Sequence, residues 1–142
     1  MSIRFMFTQM EIEFLEFLYQ TGWKNQGRDA ERQDLSGWEK TALQLQNKGI
    51  VSRRGDSICI DSLIMALFDS MNKAEEIVHF QGNSLYLNRK LIVWKSVDWR
   101  SVGGCSLTPY PGVREWYEEE KENISLDKEQ IDEVMKWEEE KY

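Results

Sequence analysis

The chain has 142 residues, of which 41% are hydrophobic and 30% charged, and its mean hydropathy is -0.60. A chain of this size can bury one core of its own, and 2 prolines with 9 glycines exclude collagen-like and Pro/Gly-rich disordered classes. No apolar run approaches the ~20 residues of a membrane span. The first residues lack a signal-peptide pattern, and Cys59 and Cys105 suggest reduced thiols, so we expect a cytoplasmic protein.

The net charge of -7 is unevenly placed along the chain. Residues 1–112 carry equal numbers of basic and acidic side chains, whereas residues 113–142 carry 5 basic and 12 acidic ones. The C-terminal segment therefore supplies the whole net charge. Such a segment either meets a basic partner or forms the solvated face of packed helices. Both alternatives disfavour tight DNA binding, because phosphate neutralisation needs positive charge.

The chain begins with a short strand followed by a helix. Ile3–Phe7 has strand character, and Thr8 with Glu11 forms a capping box that opens a helix reaching about Thr21. The polar segment after it, Trp23–Asp34, is either a loop or a short second helix.

A second helix and a hairpin follow. Ser36 with Glu39 forms another capping box, which opens a helix to Lys48, and Gly49 is the glycine expected just beyond a helix end. The next predicted elements are a β-hairpin with its polar tip at 53–56 and a helix over Leu63–Lys73 that Asp61 or Ser62 caps.

The second half of the chain shows the alternating pattern of an antiparallel meander. Its strands are predicted at Ile77–Gln81, Ser84–Asn88, Leu91–Val97 and Ser106–Tyr110, with a turn at Gly82-Asn83. Acidic helices end the chain, the first beginning near Pro111 and the last, capped by Ser125, over Leu126–Lys141.

Both faces of the predicted meander carry apolar side chains, since Leu91 and Val93 point opposite to Ile92 and Trp94. A sheet with one solvated face would alternate apolar with polar residues, so a second layer must cover the other face. The acidic helices can supply it through Val113, Trp116, Tyr117 and Ile124. A partner helix is the alternative.

No motif in the chain specifies catalytic chemistry. A nucleophilic hydrolase needs a base beside its nucleophile, usually histidine, and the only histidine, His79, lies within a predicted strand, where a half-buried structural role is expected. The two cysteines lack ligand spacing, and no glycine-rich phosphate loop is present. We therefore expect no catalytic residue, no metal site and no cofactor, and a protein that is not an enzyme.

The order helix, possible short helix, helix and hairpin, with the letters NKGIVSRRGDSICI at the last junction, resembles a winged helix-turn-helix. The resemblance implies that the helix from Ser36 to Lys48 would read the major groove and that the hairpin would contact phosphates. The DNA-binding residues under this alternative are Lys40, Gln44, Lys48, Arg53 and Arg54. A winged-helix transcription regulator is the second hypothesis, because the charge distribution disfavours nucleic acid.

A second resemblance spans about Ser36 to Ser96. Its pattern of glycines, apolar residues and one aspartate comprises Gly49, Ile50, Gly55, Ile58, Ile60, Asp61, Leu63, Leu67 and Met71. With the strands that follow, these residues resemble one half of the EspG-type family of cytosolic type VII secretion chaperones. The resemblance implies a helical client, such as the PE–PPE pairs that the family binds. Family members have two related halves, so a homodimer of this chain would supply the missing half.

We thus predict an α+β fold, with a winged-helix-like unit and an antiparallel meander in residues 1–112 and acidic helices packed on it in residues 113–142. The expected function is that of a non-enzymatic cytoplasmic protein-binding module, a chaperone or adaptor for an amphipathic helical client. The predicted client surface comprises Tyr86, Arg89, Ile92, Trp94, Lys95, Trp99 and Arg100. We expect neither a nucleic acid nor a membrane as partner.

Overall fold

The computed structural model describes residues 3–20, 37–54, 57–98, 103–122 and 128–141. Its elements are β1 (Phe5–Phe7), α1 (Gln9–Gln20), α2 (Glu39–Asn47), β2 (Val51–Arg54), β3 (Ser57–Ile60), α3 (Ser62–Asn72), β4 (Glu76–Phe80), β5 (Asn83–Leu87), β6 (Ile92–Asp98), β7 (Gly104–Tyr110), α4 (Val113–Glu120) and α5 (Lys128–Lys141). Helices and an antiparallel sheet together confirm the α+β class. The segment predicted as a loop or short helix, 23–34, lies outside the described residues.

Five of the strands form one antiparallel sheet. β4 to β7 follow one another as a meander, and β1 pairs with β7, which gives the order β1-β7-β6-β5-β4. β2 and β3 pair separately as a hairpin. The turn between β4 and β5 lies at Gln81 and Gly82, whose φ angles are 40° and 89°. Its predicted position, Gly82-Asn83, is one residue late because the glycine takes the second place of this turn.

The sheet has two apolar faces, each with a separate core. α1, α2, α3 and the β2–β3 hairpin pack on one of them, which we call the N-terminal face. α4 and α5 pack on the opposite one, the C-terminal face, around fully buried Trp94 and Trp116. The rings of Phe80, Trp94 and Trp116 have centroids between 5.5 and 5.8 Å apart. The chain's own C-terminal helices therefore supply the second layer.

Three local signals at helix ends have the geometry that the sequence predicts. The Thr8 amide donates to Glu11 Oε1 at 2.8 Å and the Glu11 amide to Thr8 Oγ1 at 3.2 Å, which confirms the capping box of α1. The Asp61 carboxylate accepts from the Leu63 amide at 3.1 Å, which confirms the cap of α3. Gly49, with φ 77°, follows the end of α2.

α2 begins later than predicted. Trp38 occupies its N-cap position with no side-chain hydrogen bond there, and Ser36 lies outside the described residues. Glu39 is the first helical residue, so the capping box predicted for it is wrong. Instead, the Trp38 ring packs against Phe14 and Phe17, with centroid distances of 5.3 and 6.1 Å. The N-cap residue of α2 is thus packed against aromatic side chains of α1.

The C-terminal helices are short and polar outside their packed stripes. Val113 and Trp116 of α4 and Val134 and Trp137 of α5 are buried against the sheet, whereas Ile124 and Ser125 lie outside the described residues. The longest described helix, α5, has 14 residues. Across the described parts of the chain, none of the helices combines the length and apolarity that a bilayer span requires.

We expect Glu11 to be a large contributor to stability. Its side chain is 1% exposed and accepts hydrogen bonds from the Thr8 amide and from the Lys48 ammonium at 2.8 Å. Glu11→Ala removes the acceptor of both donors, so the free energy of unfolding should fall by about 2 kcal/mol, measured by urea unfolding. Glu13→Ala, at an exposed site on the same helix, is the control and should change it by less than about 0.5 kcal/mol. Equal losses in the two variants would contradict the assignment.

Candidate functional site

Two residues of the predicted client surface lie inside the protein. Ile92 is 0% exposed and Trp94 1% exposed, and both pack on the C-terminal face with side chains of α4 and α5. A partner could contact them only if those helices moved away. In this fold they are core residues rather than surface residues, because the chain covers its own second apolar face.

Two others point to the opposite side of the sheet. Tyr86 is paired with Val93 and packs, half-buried, on the N-terminal face. Lys95 is half-buried on the same face, with its Nζ 3.9 Å from Glu16 Oε1 of α1. The sheet therefore separates Tyr86 and Lys95 from the apolar residues with which they were predicted to form one surface.

Of the three remaining residues of the predicted client surface, one lies in a turn and two lie outside the described residues. Arg89 lies between β5 and β6, where its Nε is 3.1 Å from Glu75 Oε1 and its side chain is largely exposed. Trp99 and Arg100 lie outside the described residues. Their part in a binding surface stays a prediction.

The residues of the DNA-binding hypothesis lie on α2, at its end and on β2: Lys40, Gln44, Lys48, Arg53 and Arg54. Lys40 and Gln44 are exposed. Lys48 is engaged within the chain by Glu11, which lowers its availability for phosphate. The side chains of the two arginines lie outside the described part of the chain.

One pair of side chains has a nucleophile and a base in contact. His79 Nδ1 lies 2.9 Å from Ser84 Oγ, across β4 and β5. A hydrolase also needs a concave site and donors for the developing oxyanion, but His79 is exposed, against its predicted half-burial. Neither residue lines the cavities described below. Within the described residues, no group of three or more His, Cys, Asp or Glu side chains could hold a metal ion.

An apolar groove lies beside the last part of β7, beyond the first residue of β1. β1 pairs with β7 only from Phe5 to Phe7, so the last part of β7 extends beyond it. The groove has a volume of about 390 Å³, and we call it the end groove; its lining residues are Ile3, Leu63, Lys90, Leu91, Pro109, Tyr110 and Pro111. Both prolines of the chain are therefore in its lining.

The end groove presents apolar side chains to solvent. Ile3 is 62% exposed and Leu63 40% exposed, and Lys90 is the single charged one of the seven lining residues that the structure describes. Leu63 lies in the first turn of α3, which Asp61 caps, so the cap fixes its position. A concave apolar site with a few polar groups at its rim is typical of a binding site.

A buried polar network holds one side of the groove in place. Tyr110 is 0% exposed, and its hydroxyl donates to Glu120 Oε1 at 2.8 Å. The same oxygen accepts from Arg4 Nη2 at 2.5 Å, and Glu120 is 3% exposed. Burial and then the hydrogen bond to Glu120 raise the pKa of Tyr110. Because Arg4 follows Ile3, this network connects β7 and α4 to the exposed end of the groove.

A larger cleft, of about 620 Å³, lies between α4 and α5. Its lining includes one arginine, Arg114, and four carboxylates, Glu115, Glu118, Glu138 and Glu139. An apolar segment bound there would remove water from these charges, which is costly unless each gains a partner. For a polypeptide with an apolar face, the end groove is therefore the better site.

The end-groove residues are not among the predicted site residues, because Ile3, Leu63 and Pro109 are far apart in the sequence. One sequence signal could have indicated the place of the groove. A proline inside a strand pattern marks a sheet edge, because proline offers no amide hydrogen to a neighbouring strand. Pro109 in β7 has this position, just past the residues that pair with β1.

The chain matches no known protein family, no curated protein and no solved structure. Its function therefore has to be argued from the geometry and chemistry of the site itself.

We expect Tyr110 to ionise far above the ordinary range of a phenol. Because its pKa is raised in the fold, the folded state keeps a proton that the unfolded state releases above about pH 10. The stability from Tyr110 is complete below that pH and falls as the pH rises further. Burial and Asp69 raise the pKa of Tyr19 to about 12, so a second phenol also titrates late.

An ultraviolet titration of phenolate absorbance tests both assignments. Tyr110→Phe and Tyr19→Phe should each remove one late-titrating phenol from the native protein. A late phase that keeps its full amplitude in Tyr110→Phe would contradict the burial of this hydroxyl against Glu120.

Proposed function

We propose that the protein is a non-enzymatic cytoplasmic protein-binding module, a chaperone or adaptor that binds an amphipathic helical segment in the end groove. The observation that carries the proposal is the concave apolar lining around exposed Ile3 and Leu63. Apolar side chains of a partner seated there would bury area that the chain leaves in water, which is the main favourable term in association. The free thiols Cys59 and Cys105 suit a reducing compartment.

The chemistry of β7 favours a helix over an added strand as the occupant. A partner strand would need backbone donors and acceptors along the free edge of β7. Pro109 offers no amide hydrogen at this place, and Pro111 follows two residues later. An amphipathic helix needs no backbone pairing, because it binds through apolar side chains at i, i+3, i+4 and i+7.

Charge complementarity specifies the flanks of that helix. Lys90 is the single charged residue among the described residues of the lining, and Arg89 beside it is already paired with Glu75. A carboxylate on the partner can pair with Lys90 at the rim, where such a pair adds specificity and association rate more than affinity. The proposed occupant is therefore an amphipathic helix with acidic residues beside its apolar stripe.

The resemblance to one half of the EspG-type chaperones supports a helical client for this chain. The helix α2, the hairpin β2–β3, the apolar helix α3 and the meander follow in the order of that resemblance. If it holds, the second half would come from another copy, as a homodimer. Sedimentation with and without a bound peptide would determine the oligomeric state.

We expect a designed amphipathic helix with a leucine stripe flanked by glutamates to bind saturably, as measured by fluorescence anisotropy. Leu63→Glu should weaken this binding about tenfold or more, because it places a charge in the apolar lining. Leu43→Glu is the matched control, since Leu43 is 57% exposed on α2 outside the groove, and it should leave the affinity within about twofold.

Lys90, the charged residue at the rim of the groove, allows a further test in the same experiment. Lys90→Glu should reverse the preference of the protein between the glutamate-flanked peptide and a lysine-flanked version of it. Binding of neither peptide, or equal losses in Leu63→Glu and Leu43→Glu, would refute the groove as a helix-binding site.

The winged-helix regulator remains a second proposal, supported by one observation. α2 packs on β2 of the hairpin and exposes Lys40 and Gln44, which is the placement a recognition helix beside a wing would need. If the chain binds DNA, retention on duplex DNA should fall steeply between ~50 and ~200 mM salt. Lys40→Ala with Gln44→Ala should reduce it, while Leu63→Glu should not. Retention that ignores salt and these residues would reject this alternative.

A further inference from the structure

α5 lies along β4 through one line of side chains. Gln130 Nε2 donates to the backbone carbonyl of His79, and Trp137 Nε1 donates to Glu75 Oε2 at 3.2 Å. Residues three and seven positions apart share a helix face, so Glu133 lies on the same line between these two anchors. The helix thus brings an acidic side chain to the middle of its contact with the strand.

The residue that Glu133 meets is also acidic. Val78 and Phe80 of β4 belong to the C-terminal face, and strand alternation puts Glu76 on that face as well. Glu133 lies close enough to Glu76 to raise the pKa of the Glu76 carboxyl group. Two ionised carboxylates at this place repel each other, and they can share a hydrogen bond only when one of them carries a proton.

We propose that α5 is a proton-dependent cover of the C-terminal face: its docking on β4 strengthens on acidification and weakens when Glu76 and Glu133 are both ionised. This inference rests on the packing of α5 and not on the function proposed for the end groove. What the cover controls is access to the apolar residues beneath α5, Val78 and Phe80 among them.

The surroundings of the pair also raise the pKa of Glu76. The hydrogen bond to Glu133, burial, and the charges of Glu133 and then Glu140 raise the pKa of Glu76. Glu75, the residue just before β4, is paired with Arg89 from the β5–β6 turn, with its Oε1 3.1 Å from Arg89 Nε. From β5, the residue opposite Glu76 is the uncharged Leu87.

The direction of the pH dependence follows from this shift. A carboxyl group whose pKa is higher in the docked state than in the undocked state holds more protons when α5 is docked. Docking is therefore strongest below the ordinary pKa of glutamate, and it weakens as the pH rises through the raised pKa of Glu76. Once Glu76 is ionised, its repulsion with the Glu133 carboxylate opposes the burial of Val134 and Trp137.

Amide hydrogen exchange of α5 measures this docking directly. We expect its protection factors, corrected for intrinsic exchange, to be about threefold or more higher at about pH 5 than at about pH 7.5. Amides of α3, on the opposite face, serve as the internal reference. In Glu133→Gln and Glu76→Gln, the new side-chain amide can donate a hydrogen bond to the remaining carboxylate, so the contact no longer requires a protonated carboxyl group. Each should raise protection at the higher pH and remove most of the pH dependence.

Asp132→Asn is the control for a general charge effect, because it removes the same charge from an exposed position on the same helix. It should keep the wild-type pH dependence. The inference is overturned if α5 protection does not depend on pH beyond that of α3. It is equally overturned if Asp132→Asn acts like Glu133→Gln, or if Glu133→Gln lowers protection at both pH values.

Discussion

The structure depends on a central antiparallel sheet that is apolar on both faces. Such a sheet cannot leave either face in water without losing a large part of its stabilising free energy. Two layers of the chain cover these faces: α1 to α3 and the hairpin cover the N-terminal face, and α4 and α5 cover the C-terminal face. Its buried carboxylates then connect elements that are distant in sequence, as Glu11 does to Lys48 and Glu120 to Arg4.

Much of this fold is visible in the sequence, because local signals act over a few residues. Thr8 with Glu11, Gly49 and Asp61 each specify a helix end from side-chain chemistry alone, and alternation places the strands to within a residue or two. The pairing register of the strands is harder to predict, because it depends on contacts between segments that are distant in sequence. When the register is not known, Tyr86 and Trp94 can be assigned to one surface, although they lie on opposite faces of the sheet.

The candidate site could not be predicted for the same reason. The end groove exists because β1 has three residues while β7, its neighbour, has seven. A long strand beside a short one leaves part of its edge open, and Pro109 keeps that part from accepting another strand. Ile3 and Leu63 come to this place from the start of the chain and from α3. Their proximity is a consequence of tertiary structure and has no local sequence pattern.

The helices α1 and α5 differ in the charged groups that they bring to their neighbours. On the N-terminal face, α1 contacts its neighbours through opposite charges, Glu11 with Lys48 and Glu16 with Lys95. On the C-terminal face, Glu133 of α5 lies close to Glu76 of β4, and this closeness raises the pKa of Glu76. The pH dependence that we propose for α5 therefore arises within the acidic segment that carries the net charge of the chain.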